Sequence, residues 1–254
     1  MSVKTLGILA AGTLIAICLG ALAHLQDRRR VALLNADPET VLLDPALART
    51  AIDLGAPAYQ RLCARCHGTR AGGDPSSGAP ALADDEHLYG GRPEEIEQIV
   101  LYGIRAGTSR GKNLASMPAY ARSQPYAREP IPPLSPPEIA DVTQFVLSLS
   151  HRATDRDAAE RGRALYQSKG GCYDCHGADG RGDTAIGAPN LGDAIWLYGG
   201  SPRSIEDSIS YGRGGICPAF SHRITALEAR AISLYVASLE PRARGAGADL
   251  GQNR

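Results

Sequence analysis

The chain has little of what usually fills a protein core. Two phenylalanines and one tryptophan among 254 residues are few for two cores held by side chains alone. There is no charge excess either: 27 lysines and arginines balance 27 aspartates and glutamates, so nothing points to a nucleic-acid partner. No alternating strand pattern of any length appears, which argues against a sheet. Methionine is nearly absent, with Met1 and Met117 the only two. What is plentiful is glycine (29) and proline (17), which implies long loops with sharply bent backbone. Something other than aromatic side chains is expected to fill the middle.

Six cysteines stand at 18, 63, 66, 172, 175 and 217, a spacing unlike that of a disulfide framework. Four of them form Cys63-Ala64-Arg65-Cys66-His67 and Cys172-Tyr173-Asp174-Cys175-His176. C-x-x-C-H is the signature of covalent c-type haem attachment. The two thiols add to the porphyrin and the adjacent histidine supplies the proximal nitrogen to iron. Two copies in matching surroundings therefore predict two covalently attached haem c groups, with His67 and His176 as proximal ligands.

The matching surroundings amount to an internal duplication. Cys63 and Cys172 are 109 residues apart. At the same offset, Pro80-Ala81-Leu82 recurs as Pro189-Asn190-Leu191, and Leu88-Tyr89-Gly90-Gly91 as Leu197-Tyr198-Gly199-Gly200. Tyr102-Gly103 recurs as Tyr211-Gly212. The offset then drops to 100, where Met117-Pro118-Ala119-Tyr120 aligns with Cys217-Pro218-Ala219-Phe220, and to 90 for Glu138 and Glu228. The first copy thus carries an extra loop around Arg105 to Ser116 and a proline-rich insertion around Pro130 to Pro137.

Helices are expected over Gly55 to Cys66 and Gly162 to Cys175, from Pro93 and Pro202, behind Ser135, and along the stripe Leu227, Ala231, Leu234, Tyr235, Leu239. The fold class is all-α: two tandem cytochrome c domains behind a single N-terminal hydrophobic helix. The expected domains are an anchor or signal segment (1–30), a linker (31–50), domain 1 (51–152), domain 2 (153–241) and a flexible tail (242–254). The run Leu6 to Leu25 is long enough to cross a bilayer. Ala21-Leu22-Ala23 also fits a signal cleavage site, so an inner-membrane anchor and a cleaved leader both stand. In either case the haem domains are expected to face a bacterial periplasm.

Distal ligands decide the chemistry. A carrier haem usually pairs histidine with methionine. Met117, in a loop 50 residues after His67, is the expected distal ligand of the first haem. The equivalent position of the second copy is Cys217, and three readings stay open there: a thiolate ligand that stabilises ferric iron, displacement by His222, or a weakly held thiol beside a five-coordinate iron. His87 and Trp196 occupy equivalent positions and are expected to pack near the haem edge or bond a propionate. Tyr89, Tyr198, Arg105 and Arg213 are further propionate candidates, while His24 and His151 read as surface residues.

Gly187-Ala188-Pro189-Asn190-Leu191, Trp196-Leu197-Tyr198-Gly199-Gly200 and Gly212-Arg213-Gly214-Gly215-Ile216-Cys217-Pro218-Ala219-Phe220 make the chain similar to the dihaem subunit of cbb3-type cytochrome oxidases over roughly residues 35 to 240. The resemblance implies a tandem all-helical fold that takes electrons from a quinol-oxidising complex or soluble cytochrome and passes them toward a terminal oxidase; the departures from the family pattern add a periplasmic dehydrogenase as a further candidate partner. The chain departs from the family pattern in Cys217, which stands where a second methionine is expected, in the longer first-copy loop, and in having a single N-terminal apolar segment. Rival expectations are a redox enzyme with a His/Cys haem and a haem-based redox sensor. The enzyme reading resembles thiosulfate dehydrogenases, except that in those the cysteine belongs to the first domain.

Overall fold

In the computed structural model of the chain, residues 3–84, 86–123 and 131–239 are described, with side chains from residue 13 onward. The expected tail at 242–254 lies outside the described residues. Helix α1 runs Val3–Asn35, and the short α2 (Pro38–Val41) starts on the Asp37 cap. The copies follow: α3 (Pro45–Leu62), α4 (Ala64–His67), α5 (Pro93–Tyr102) and α6 (Pro136–Ser148), then α7 (Arg156–Tyr166), α8 (Tyr173–His176), α9 (Pro202–Tyr211) and α10 (Ala226–Ala237). No strand occurs among the described residues, only isolated bridges.

Local chemistry sets these boundaries. Proline in the first turn, where its missing N–H costs nothing, opens α2, α3, α5, α6 and α9. Ser135 with Glu138, and Thr225 with Glu228, close capping boxes on α6 and α10. The expected continuous helices into the cysteines are interrupted. In the second copy α7 stops at Tyr166 and Gln167–Gly171 turns the chain before α8, whereas α3 runs to Leu62 and α4 follows directly after Cys63.

The packing does not respect the duplication. Helix α10, at the end of the second copy, lies on α3 and α5 of the first. Helix α6, at the end of the first copy, lies on α7 and α9 of the second. One core therefore unites Ala58, Tyr59, Ile96 and Val100 with Ala229, Ile232 and Val236. The other unites Tyr120, Ile139, Val142 and Val146 with Ile205 and Ile209. These contacts run across the expected division at 152/153.

Both helix crossings need glycine. A Cβ on Gly55 would sit 2.1 Å from the Ala231 carbonyl oxygen, and one on Gly162 1.9 Å from that of Asp141. The two close approaches occupy equivalent places, which makes the exchange of C-terminal helices reciprocal. The connecting loops cross with the same pseudo-symmetry. Ile104 and Cys217 exchange backbone hydrogen bonds of 2.9 and 3.1 Å, and Met117 and Arg213 exchange bonds of 2.8 and 3.1 Å. Tyr120 donates to Ile209 and Phe220 to Val100 through their backbone N–H groups.

Helix α1 is attached to the first unit. Leu33, Val41, Ala51 and Leu234 form a small buried core of their own. Arg230, mostly buried, is ion-paired with Glu97 and donates to the Ala36 carbonyl at 3.0 Å, just beyond the C-terminal end of α1. Before that junction, Leu14, Ile15, Ile17, Leu19 and Leu22 are all exposed. No helix among the described residues is long and apolar enough to cross a membrane, and the expected span from Leu6 begins outside the described side chains.

In the second unit, Glu138 ties the start of α6 to the approach to α8. It accepts from the Lys169 ammonium at 2.7 and 2.9 Å and from the Ser135 N–H at 2.7 Å. The Lys169 bond, then the Ser135 bonds, hold its carboxyl down at about 2. A carboxyl lowered in the folded state stabilises the fold above its unfolded pKa, and that contribution fades as pH falls from about 4.5 toward about 2. Glu138→Gln is expected to lower the thermal midpoint at pH 7 and to narrow the gap from the parent near pH 2. Thermal unfolding followed at the two pH values reads this directly, and a gap that stays constant would contradict it.

Candidate haem-attachment sites

The two attachment motifs are built alike. In each, the histidine ends a one-turn helix and a glycine at positive φ, Gly68 or Gly177, turns the chain away. Nδ1 of His67 lies 2.9 Å from the Pro80 carbonyl, and Nδ1 of His176 lies 3.0 Å from that of Pro189. A carbonyl oxygen only accepts, so Nδ1 carries the proton in both rings and Nε2 keeps its lone pair for a metal. Burial lowers the pKa of His176 more than the Pro189 bond raises it, which favours the neutral, ligating imidazole.

Tyr59 and Tyr166 close each motif onto its leading helix, donating to the carbonyls of Gly68 (2.8 Å) and Gly177 (2.7 Å). Both tyrosines are fully buried. The 109-residue repeat does not pair them, because two more residues separate helix from motif in the second copy. Matching Gly55 with Gly162, 107 apart, would have found them.

The distal residues are crossed relative to expectation. Cys217 lies beside the first motif: Cys217 and Cys66 both raise the Cys63 thiol, whose pKa burial chiefly pushes up to about 12. Burial, then Cys66, pushes the Cys217 thiol up to about 11. Met117 packs instead into the core that holds Cys172, Leu191 and Trp196 of the second motif. Three residues on, the buried Tyr120 hydroxyl donates to the Gly170 carbonyl at 2.7 Å, and Tyr120 also bonds Cys172. The physical reason is the loop exchange: each distal loop pairs with the other copy's backbone and is carried to the other copy's motif. His222, the rival to Cys217, is exposed in the turn after Phe220.

Arg105, Arg213, Tyr89 and Tyr198 sit where the loops of the two copies meet. Arg105 Nε donates to the Gly215 carbonyl at 2.6 Å, and its Nη1 donates to the Ala115 carbonyl and to the Tyr89 hydroxyl, both at 2.8 Å. Arg213 stacks on the Tyr198 ring at 4.1 Å and bonds Ser208. Tyr89 presses on Gly187 and Tyr198 on Gly78, each reaching a loop of the opposite copy. Trp196 bonds the Asp193 carbonyl and packs in the second core, while His24 and His151 are exposed as expected.

These residues fit a c-type haem at each motif: paired thiols, an oriented imidazole with Nε2 available, and a sulfur donor brought to each side of the fold. A family model described as "Cytochrome c" matches residues 52–150, and one described as "Cytochrome C oxidase, cbb3-type, subunit III" matches residues 157–236. The chain is 33% identical over 219 residues to a cbb3-type cytochrome c oxidase subunit CcoP of Cereibacter sphaeroides, covering 86% of this chain and 71% of that protein. It is 36% identical to a CcoP of Rhodobacter capsulatus over 82% of this chain and 68% of the other. A FixP of Azorhizobium caulinodans is 35% identical over 86% and 70%. The chain belongs to the CcoP/FixP family. It carries two covalently bound haem c groups, as the tandem cytochrome c segments require.

For a CcoP/FixP chain the fold is thus legible at two levels. The family segments follow the sequence duplication, 52–150 and 157–236, while the packed units exchange their last helices and distal loops.

Proposed function

We propose that this chain is a membrane-tethered electron-transfer subunit, working between a quinol-oxidising complex or periplasmic carrier and a cbb3-type terminal oxidase. The observation that carries the reading is the pair of equivalent motifs, each with an oriented imidazole and a sulfur residue brought near its cysteines, in a chain of this family. When bound, each haem supplies a one-electron ferric–ferrous couple. The chain's residues attach, orient and tune it. Cys63, Cys66 and His67 hold the first group and Cys172, Cys175 and His176 the second. Cys217 completes the first site as a thiolate and Met117 the second as a thioether. Burial, then Cys66, pushes the Cys217 thiol up to about 11, so a haem iron held there would have to displace its proton to solvent at neutral pH.

The apolar run ending in the exposed Leu14–Leu25 stretch supports an anchor in the inner membrane, with the haem units on the periplasmic side. Because Arg230 and Glu97 fix the end of α1 to the first unit, that unit stands at the membrane surface rather than at the end of a loose tether.

The full chain, purified in mild detergent from its native membranes, tests the reading. It is expected to copurify with a b-haem oxidase and to be reoxidised by oxygen only in that complex. A cysteine ligand at the first site would match the arrangement of thiosulfate dehydrogenases, so thiosulfate turnover is the control. A solitary dihaem protein that turns over thiosulfate would overturn the carrier reading.

A further inference from the structure

The loop inserted in the first copy is a built surface at the distal edge of the first site. Ile104 bridges to Cys217 on one side and to Lys112 on the other. Three backbone segments therefore lie side by side, and Lys112 is two spacings, about 10 Å, from the backbone of Cys217. The loop is internally tied. The Arg105 N–H donates to the Lys112 carbonyl at 2.9 Å and the Lys112 N–H to the Gly103 carbonyl at 3.0 Å. Thr108 bonds the Tyr102 carbonyl and Asn113 the Thr108 carbonyl, both at 2.5 Å. Arg110 is exposed and held 4.0 Å over the Tyr102 ring.

What the loop presents is basic around an apolar centre. Between Gln98 and Ser123 the sequence has four arginines and lysines (105, 110, 112, 122) and no aspartate or glutamate. With Arg105 turned inward onto Gly215, Ala115 and Tyr89, the loop's own outward basic residues are Arg110 and Lys112. Glu95, whose carboxylate feels Lys112, is already bonded to Arg92. Two large apolar side chains stand out beside the rim: Leu114 is 83% exposed, and Ile216, next to Cys217, is 71% exposed. An apolar centre inside a charged rim is the anatomy of a transient protein interface, and one sign of charge over a redox edge accelerates encounter with the opposite sign.

We infer that the Arg105–Ser116 loop, with Ile216, is a docking surface for an electron-carrying protein with an acidic face, which exchanges electrons at the first site. The inference rests on the reading of Cys63, Cys66, His67 and Cys217 as a haem site. It adds the class of partner and the place of contact.

The test uses the full haem-loaded chain in phosphatidylcholine nanodiscs, reduced in a stopped-flow instrument either by the acidic carrier flavodoxin or by an uncharged quinol. The flavodoxin rate of the parent is expected to fall steeply with added salt. Arg110→Glu/Lys112→Glu is expected to lower that rate at least tenfold at low ionic strength and to flatten its salt dependence. The milder Arg110→Gln/Lys112→Gln is expected to lower it about threefold, with the quinol rate of both variants within twofold of the parent. An unchanged flavodoxin rate in both variants would overturn the docking surface. So would loss of the flavodoxin reaction on adding phosphatidylglycerol to the discs for the parent but not the variants, since the loop would then lie on lipid headgroups. Absence of any first-site haem absorbance change even with excess dithionite would instead overturn the haem-site reading.

Discussion

Cys217→Met is expected to raise the reduction potential of the haem held by His67 by a few tenths of a volt, inside the ~0.8 V range that axial ligands span. A thiolate donates charge and stabilises ferric iron, while a thioether is neutral and favours the ferrous state. The substitution removes the negative ligand and supplies the kind of donor proposed for Met117 at the other site. The other haem is expected to keep its potential, because Met117 packs with Cys172 and Trp196 and is not touched by the change. Potentiometric titration followed by the visible spectrum separates the two. The parent is expected to titrate in two well-separated waves and the variant in two close ones. An upward shift in the haem held by His176, with the other unmoved, would mean that the loops do not cross.

Cutting the chain at the boundary between the copies is expected to be as damaging as removing a core. Residues 51–152 expressed alone would lose α10, and with it the buried Ile232, Leu234 and Val236. At roughly 1.5–3 kcal/mol per buried aliphatic side chain, the three together come to about 4.5–9 kcal/mol, comparable with the lower half of the 5–15 kcal/mol that holds a domain folded. The second segment alone would lose α6 in the same way, with Ile139, Val142 and Val146. Neither half is expected to show a cooperative thermal transition. The two halves produced together in one periplasm are expected to assemble and to recover one, because the crossed contacts are noncovalent. A stable, sharply melting 51–152 fragment would refute the exchange.

The sequence carried a large part of this account. C-x-x-C-H states its chemistry in five residues, and the 109-residue offset pairs Pro80 with Pro189 and Tyr89 with Tyr198, all of which prove equivalent in space. The crossing was not legible. Repeats report which segments are alike, and two like segments can exchange their last helices without any change in hydrophobic pattern. The α6 and α10 stripes fit either partner. What commits them is three-dimensional: Gly55 under Ala231, Gly162 under Asp141, and the shortness of the bridges from Ile104 and Met117. Met117 follows His67 in the chain yet packs in the core that holds Cys172, because order in the chain is not proximity when loops cross. Tyr59 and Tyr166 fall out of the 109-residue register for a smaller reason, the two-residue difference in the linker before each motif.

The most direct test is spectroscopy of a chain that keeps only its first haem. Replacing Cys172 and Cys175 by alanine leaves Cys63, Cys66 and His67 as the sole attachment site. Electron paramagnetic resonance of the oxidised protein, with near-infrared magnetic circular dichroism, then identifies the sulfur ligand of that one iron. The account predicts a low-spin thiolate signature that disappears on adding Cys217→Ala. A methionine-to-iron charge-transfer band in the same chain, lost on Met117→Ala and indifferent to Cys217, would contradict it.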